Sequence, residues 1–337
     1  MQSDVGDLGT PFDAPVFKSF GVVSLTTGGT PAPRAVAFLR AMSPSHAMAG
    51  DWTALRRQTA AAAALRPSFA TTTVLPPAAM GKSYVWDSNQ QQYVEGTGSA
   101  GPAPSNGVRF VLYAVDPLTS KPATPLVEVG YADLIDESTS AAAALRVKIV
   151  GGATTYADYV ISVSGSSIAA TFEASGFITD GTHRLDFDDT LSASSNQATV
   201  DFQLSLDQPA VTARLQATLN VGNPTSTLGA TFTVTRGTET VVLDGTLTIT
   251  ETQSSESLSE SFTVKVNGNV FATITASGES GSQATVTYTG PGGRDLTTDE
   301  RNALDAMLEA PGTLADLADQ ALAPASELVG ASQPSGF

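Results

Sequence analysis

The sequence predicts a mainly β protein: a large antiparallel meander of roughly a dozen strands, strongly curled into a half-barrel or sandwich, with short N- and C-terminal helices. The first observation behind this is strict alternation. Val200, Phe202, Leu204 and Leu206, then Leu215, Ala217, Leu219 and Val221, then Leu228, Ala230, Phe232 and Val234 each place one apolar side chain at every second position. Such runs bury one face of a strand. The second observation is the chemistry of the intervening positions. Asp201, Gln203, Ser205, Thr231, Thr233, Thr235, Thr246, Thr248 and Thr250 suit a wet pleated face, so the sheet is expected to be half-buried. The third is punctuation: Asp180-Gly181, Arg236-Gly237 and Asn267-Gly268 fall between runs, the last placed as a type I′ hairpin requires. Short turns imply a meander, and many long strands in one sheet predict curling.

The elements follow in order. Residues 1–33 carry Pro11, Pro15, Pro31 and Pro33 among scattered Phe12, Phe17 and Phe20, which reads as an extended N-terminal arm with no regular element before Val22. In residues 34–66, Val36 and Leu39 recur at helical spacing, Pro44 interrupts, and Asp51 can cap a second short helix. Residues 67–106 form a Pro/Gly-rich loop with one hairpin, where Tyr84-Val85-Trp86 meets Tyr93-Val94 across a polar turn. The antiparallel β domain spans 107–290. In 291–330, Thr297 or Thr298 caps a helix carrying Glu300, Leu304, Met307 and Leu308, and a second helical run covers Leu314 to Leu322. These helices are expected to pack on the sheet, and 331–337 to form a loose tail.

Composition excludes several classes. Hydrophobic residues make up 41% and charged residues 15% of 337, which is too apolar for a disordered tail. The most apolar stretch, Ala60 to Leu65, is short and flanked by Arg56, Arg57 and Arg66, so no transmembrane helix is expected. Seventeen basic against 33 acidic residues give a formal charge of −16, which disfavours nucleic acid and anionic lipid surfaces. Cysteine is absent, which removes disulfides and thiolate metal sites. Sparse lysine beside abundant Thr, Ser, Gly and Ala has the character of an acidic extracytoplasmic protein, in the periplasm or at the cell surface. The opening Met1 to Asp7 lacks a signal-peptide pattern, so a leader is either lacking or removed, and a lipoprotein anchor would need a residue outside this chain.

The motifs that resemble chemistry have simpler readings. Gly96-Thr-Gly98-Ser-Ala-Gly101 matches a dinucleotide fingerprint in letters, but Pro102 and Pro104 follow where a helix must start. Asp186-Phe187-Asp188-Asp189 lacks the glycine and distal Glu of a calcium loop and reads as an exposed acidic strand end, and Asp133, Asp136 and Glu137 read as a solvated strand end or helix start. His46 and His183 are the two histidines, and His183 beside Asp180-Gly181 reads as a hairpin residue rather than a catalytic base. Gly278-Glu-Ser280-Gly-Ser282 is not a nucleophile elbow. The Thr-x-Thr runs at 231–235, 246–250 and 285–289 offer a hydroxyl array of the kind that orders ice or meets sugars, although threonine is also simply a good strand former.

These readings predict no catalytic, cofactor-binding or metal-binding residues and no cofactor. The expected function is a non-catalytic structural or interaction protein, an accessory or scaffold subunit docking on other proteins of a larger bacterial envelope complex. Its partner-binding residues are expected to be Phe12, Phe17, Phe20, Phe69, Trp86 and Tyr93, aromatic anchors on poorly structured arms. The alternative is a carrier of an apolar ligand or lipid, held against an inner face of Val200, Phe202, Leu204, Leu215, Leu219, Phe232 and Val234. An outer-membrane β-barrel and a carbohydrate-acting enzyme are further alternatives; the barrel is weakened by the lack of Tyr and Trp between Gln197 and Gly278.

Overall fold

The alternating runs pair as their turns dictate, each with the next. The structure, a computed structural model, is described over residues 7–24, 74–75, 77–166, 168–251, 256–279 and 285–308. A 3-10 turn at Thr10–Asp13 leads into helix α1 (Pro15–Ser24). A hairpin of β1 (Lys82–Asp87) and β2 (Gln92–Glu95) comes next. β3 (Gly107–Tyr113) opens the body, and β4 (Val115–Asp116) with β5 (Lys121–Pro122) forms a small separate ribbon. Long strands then follow without a break in topology: β6 (Glu128–Asp136), β7 (Ala142–Gly151), β8 (Thr154–Gly165), β9 (Ala169–Thr179), β10 (Arg184–Ser194) and β11 (Gln197–Leu206). The last are β12 (Val211–Asn220), β13 (Thr225–Arg236), β14 (Glu239–Glu251), β15 (Glu256–Val266), β16 (Asn269–Glu279) and β17 (Thr285–Thr289). Residues 298–308 form helix α2.

All strands but β4 and β5 belong to one 15-stranded sheet, ordered from β17 down to β6, then β3, β1 and β2. From β6 onward every strand is antiparallel to its sequence neighbour, as the meander predicts. The expected hairpin near residue 90 forms, with Trp86 opposite Tyr93 and Val85 opposite Val94. Sequence reading left it outside the β domain, whereas β1 adds to the main sheet parallel to β3, so the sheet is mixed.

The strong curl is not found. β2 and β17 lie at opposite ends of the strand order, and the sheet stays an open layer rather than a half-barrel or sandwich. The physical reason is in the ladders. Bulges bend strands and re-aim a sheet, and the seven successive ladders from β8 to β15 keep an uninterrupted one-to-one register. Register shifts occur only near the ends, at Leu112/Tyr113, Ile149/Val150 and Val264/Lys265 among the described residues.

The turns hold this register. Asn267 and Gly268 both have positive φ, 51° and 79°, as a type I′ turn needs, and Val266 pairs with Asn269 across it. Gly237, with φ of 59°, occupies the first central position between the paired Arg236 and Glu239. Because side chains alternate with a period of two, a slip of one residue would exchange the two faces of a strand.

One face of the sheet is predominantly apolar. A single row crosses nine strands, from Ile161 through Ala174, Asp189, Phe202, Leu215, Phe232, Leu243 and Val264 to Ala272. The buried members of these rows belong to one core cluster with Leu8, Phe12, Phe20 and Val23 at one end of the chain and Leu296, Leu304 and Met307 at the other. The segment expected to be extended before Val22 is therefore helical. Pro15 begins α1, where its fixed φ and missing N–H are suited to the first helical turn. Val16, Phe20 and Val23 then fall on one buried helical face. Full burial of one such large apolar side chain stabilises by about 1.5–3 kcal/mol. At the other end Thr297 and Glu300 form the expected capping box: each backbone N–H donates to the other's side chain, at 2.9 and 3.3 Å. Arg294 pairs with Glu300 at 2.6 Å, and this hydrogen bond, with the Thr297 amide, holds the Glu300 carboxyl down at about 2. The helices expected in 34–66, the helical run Leu314–Leu322 and the tail 331–337 lie outside the described residues.

Close backbone approach singles out Gly176. It lies between Tyr159 and Phe187 in neighbouring strands, and their rings meet over it with centroids 5.6 Å apart. A Cβ on Gly176, whose φ is +149°, would stand 2.5 Å from the Tyr159 Cβ. Gly176→Ala is expected to destabilise by about 2–3 kcal/mol through overpacking. Gly152→Ala, at φ +59° with open space around it, should cost only about 1 kcal/mol from conformational strain. Urea unfolding of both variants checks the ranking.

Candidate functional site

The predicted aromatic anchors are used inside this chain. Phe20 is 0% exposed and Phe12 is buried, while Phe17 packs against the core with its ring 6.4 Å from that of Phe12. Trp86 and Tyr93 stack edge-on at 5.5 Å, Tyr93 meets Phe110 at 5.4 Å, and the Tyr93 hydroxyl donates to the Val111 carbonyl at 3.0 Å. The hairpin register turns both rings to the apolar face. Phe69 lies outside the described residues. Of the residues expected on the inner face, Phe202, Leu204, Leu215, Leu219, Phe232 and Val234 are buried on one side of the sheet and Val200 is partly buried beside them.

The acidic groups divide differently from their sequence reading. Asp133 and Asp136 are buried rather than solvated. Arg109 donates to both Asp133 carboxylate oxygens at 2.7 Å, and its guanidinium lies 3.9 Å from the centre of the Tyr131 ring. Asp136 accepts from the backbone of Ser138 at 2.9 Å and of Leu75 at 3.2 Å. Asp186 and Asp188 face outward, as alternation requires, and Asp186 pairs with Arg184. Asp189 does not remain exposed. It occupies the apolar row between Ala174 and Phe202, is 7% exposed, and accepts one long hydrogen bond of 3.3 Å from the Gln203 amide. Burial pushes its carboxyl well above the usual range. On the same face, the buried Tyr159 hydroxyl has no hydrogen-bond partner among the described residues. Glu260 also lies on the apolar side, between Leu247 and Ala276, and burial raises it. Alternation contained the signal for Asp189, since it continues the inward phase of Leu185 and Phe187.

His183 closes its own hairpin, with Nδ1 2.8 Å from Asp180 Oδ2. Burial opposes ionisation of Asp180, but the His183 and Thr182 amides and the imidazole hold its carboxyl below the usual value. The Gly96–Gly101 stretch runs in loop and turn from β2 toward β3. His46, Ser280 and Ser282 lie outside the described residues. Among the described residues no group of three metal-ligating side chains gathers, and no helix is long and apolar enough to cross a membrane.

The polar face changes character across the sheet. From β3 to β12 it carries ion pairs between or along strands, Arg109–Asp133, Arg146–Asp158, Arg184–Asp186 and Arg214–Asp201, at 2.6 to 2.7 Å. Toward β17 hydroxyls replace them. Thr246, Ser261, Thr275 and Thr287 stand side by side on β14 to β17, all exposed, with Thr263, Thr273 and Thr289 in the next row. Neighbours along a row are spaced at about 4.8 Å.

This hydroxyl face ends at an open edge. β17, Thr285-Val286-Thr287-Tyr288-Thr289, pairs through Thr285–Thr289 with Ser277–Thr273 of β16. Thr285, Thr287 and Thr289 continue the polar face; Val286 and Tyr288, opposite Ala276 and Ile274, continue the apolar one. Tyr288 donates to Asp305 of α2 at 2.7 Å; burial first, then this bond, pushes its hydroxyl to about 12. Val286 is 47% exposed, and Val270, on the part of β16 beyond the end of β17, is 48% exposed. Among the described residues nothing pairs with the outer side of β17. The opposite edge, β2, is four residues long and guarded by the Lys82–Glu95 ion pair at 2.7 Å. Charges and short length are the usual protection of an edge. β17 has neither a charge nor a proline.

Comparison with protein-family models, with curated proteins and with solved structures finds no match.

Two predictions test the electrostatics. Arg109→Ala strands a buried carboxylate at Asp133, and should destabilise by about 3–5 kcal/mol in urea unfolding. Asp189 binds its proton more tightly folded than unfolded. Its contribution is therefore fully present below the unfolded carboxyl range and is lost as pH rises toward the folded value. Unfolding free energies measured between pH 3 and 8 should fall less steeply in Asp189→Asn than in the parent chain; equal slopes would show that Asp189 titrates normally.

Proposed function

We propose that the chain is a non-catalytic structural and interaction protein, an accessory or scaffold subunit of a bacterial envelope assembly, which joins its neighbours by strand addition at β17. One observation carries this reading: β17 is an uncharged edge strand made wholly of β-branched and aromatic residues, and among the described residues nothing pairs with its outer side. Such an edge presents alternate backbone N–H and C=O groups to any chain laid beside it, and the backbone hydrogen bonds supply affinity while side-chain pockets supply selectivity. The exposed Val286 gives an added strand an apolar contact. Phe12, Phe20, Trp86 and Tyr93 at the other end are buried within this chain's own core, which supports docking at the edge rather than on the arms. The extracytoplasmic setting rests on composition alone.

Val286→Lys introduces a charge at this edge while leaving β17's backbone able to pair with β16. It should weaken partner retention at least tenfold with little change in thermal unfolding. Native mass spectrometry of the untagged protein, gently isolated from its source, provides the readout. Fixed-stoichiometry association with polypeptide chains that is lost in the variant supports the reading. A monomer carrying a displaceable lipid-sized mass, unaffected by the variant, would replace it with the carrier.

A further inference from the structure

Resting on that reading of the edge, we propose that the strand added to β17 is the β17 of a second copy, paired antiparallel about a twofold axis at Thr287. The argument starts from the sequence of the strand. Thr285-Val286-Thr287-Tyr288-Thr289 has the same polarity pattern in both directions about Thr287. A twofold axis there sets Thr285 opposite residue 289 of the second copy, Val286 opposite residue 288, and Thr287 opposite its own counterpart. Each face then meets its like. Hydroxyls continue the polar row through Thr246, Ser261, Thr275 and Thr287 into the second sheet, and Tyr288 of each copy covers the Val286 that the single chain leaves 47% exposed.

Register selects this axis. An offset by one residue from a matched pairing would set threonines against Val and Tyr on the wrong faces. Moving the axis one residue along the strand retains the faces but shortens the five-residue overlap. Pairing through one shared patch is the isologous arrangement of a closed dimer, so it ends with two copies instead of propagating. Charge also favours this edge over β2: copies of −16 repel at long range, and β17 adds no like-charge contact at the junction. Added salt should therefore strengthen association by screening that repulsion.

The absence of cysteine in the sequence makes a direct test available. Thr287→Cys places one thiol from each copy opposite the other, at a Cα separation of about 4.5–5.5 Å, within disulfide reach. Mild oxidation of the purified full chain should give a disulfide dimer rapidly. Thr285→Cys alone should not, because its counterpart faces position 289; mixing Thr285→Cys with Thr289→Cys should. A charge exchange provides a second readout: Thr287→Lys and Thr287→Glu should each sediment as monomers, and an equimolar mixture should recover the dimer. Thermal unfolding of each variant separates lost pairing from lost folding.

Self-pairing is overturned if the parent chain sediments as a monomer at high micromolar concentration in high salt and Thr287→Cys crosslinks no faster than Thr285→Cys. If that result accompanies loss of other polypeptides by Val286→Lys, the edge still docks a strand, from a different chain. If Val286→Lys leaves every association unchanged, the edge reading itself fails.

Discussion

The period-two register of the antiparallel ladder is the constraint on which this structure depends. Each strand carries apolar residues at one phase and polar or charged residues at the other, and the backbone hydrogen bonds fix which phase points inward. A one-residue slip in β11 would drive Asp201, Gln203 and Ser205 into the core and expose Phe202, Leu204 and Leu206. The penalty for burying those polar groups, together with turns such as Asn267-Gly268, maintains register through long uninterrupted ladders. Those same uninterrupted ladders keep the sheet open, because they lack the bulges that would fold it over.

An open sheet has two ends, and the chain treats them differently. Around β1 to β7 it invests aromatic stacking, a buried Arg109–Asp133 pair and helix α1. That end is bound up in its own packing. Toward β17 the ion pairs give way to hydroxyls and the strands end on an uncharged edge, tied to α2 through Tyr288 and Asp305. A proposed docking strand at this end follows from that asymmetry: among the described residues nothing pairs with the outer backbone groups of β17, and the strand itself carries no charge.

Asp189, like Glu260, departs from the separation of faces. It sits in a row of Ile, Ala, Phe, Leu and Val, with one long hydrogen bond, and the buried Tyr159 hydroxyl in the same apolar face has no hydrogen-bond partner among the described residues. A carboxyl in such a place favours its neutral form and works against stability as pH rises. It is a local conflict between a polar residue and its environment that the surrounding apolar packing overcomes.

Much of the fold was determined by the sequence itself, because alternation, turn residues and caps act over a few residues. The strands from 107 to 289, the Trp86–Tyr93 hairpin, the Asn267-Gly268 turn, the Thr297–Glu300 capping box and the inward set around Phe202 and Phe232 are all local patterns of this kind. Other features needed tertiary structure. Pro11 and Pro15 interrupt a chain or begin a helix equally well, and burial of Phe20 against the sheet decided for the helix. Asp133 reads as a solvated acid until a strand 24 residues away brings Arg109 beside it. Whether a long meander curls depends on bulges and on which edges meet, and neither is written in hydrophobic periodicity. The edge at β17 was likewise invisible from sequence: Thr285–Thr289 reads like any other strand, and only the pairing of every strand before it shows that nothing among the described residues pairs with its outer side.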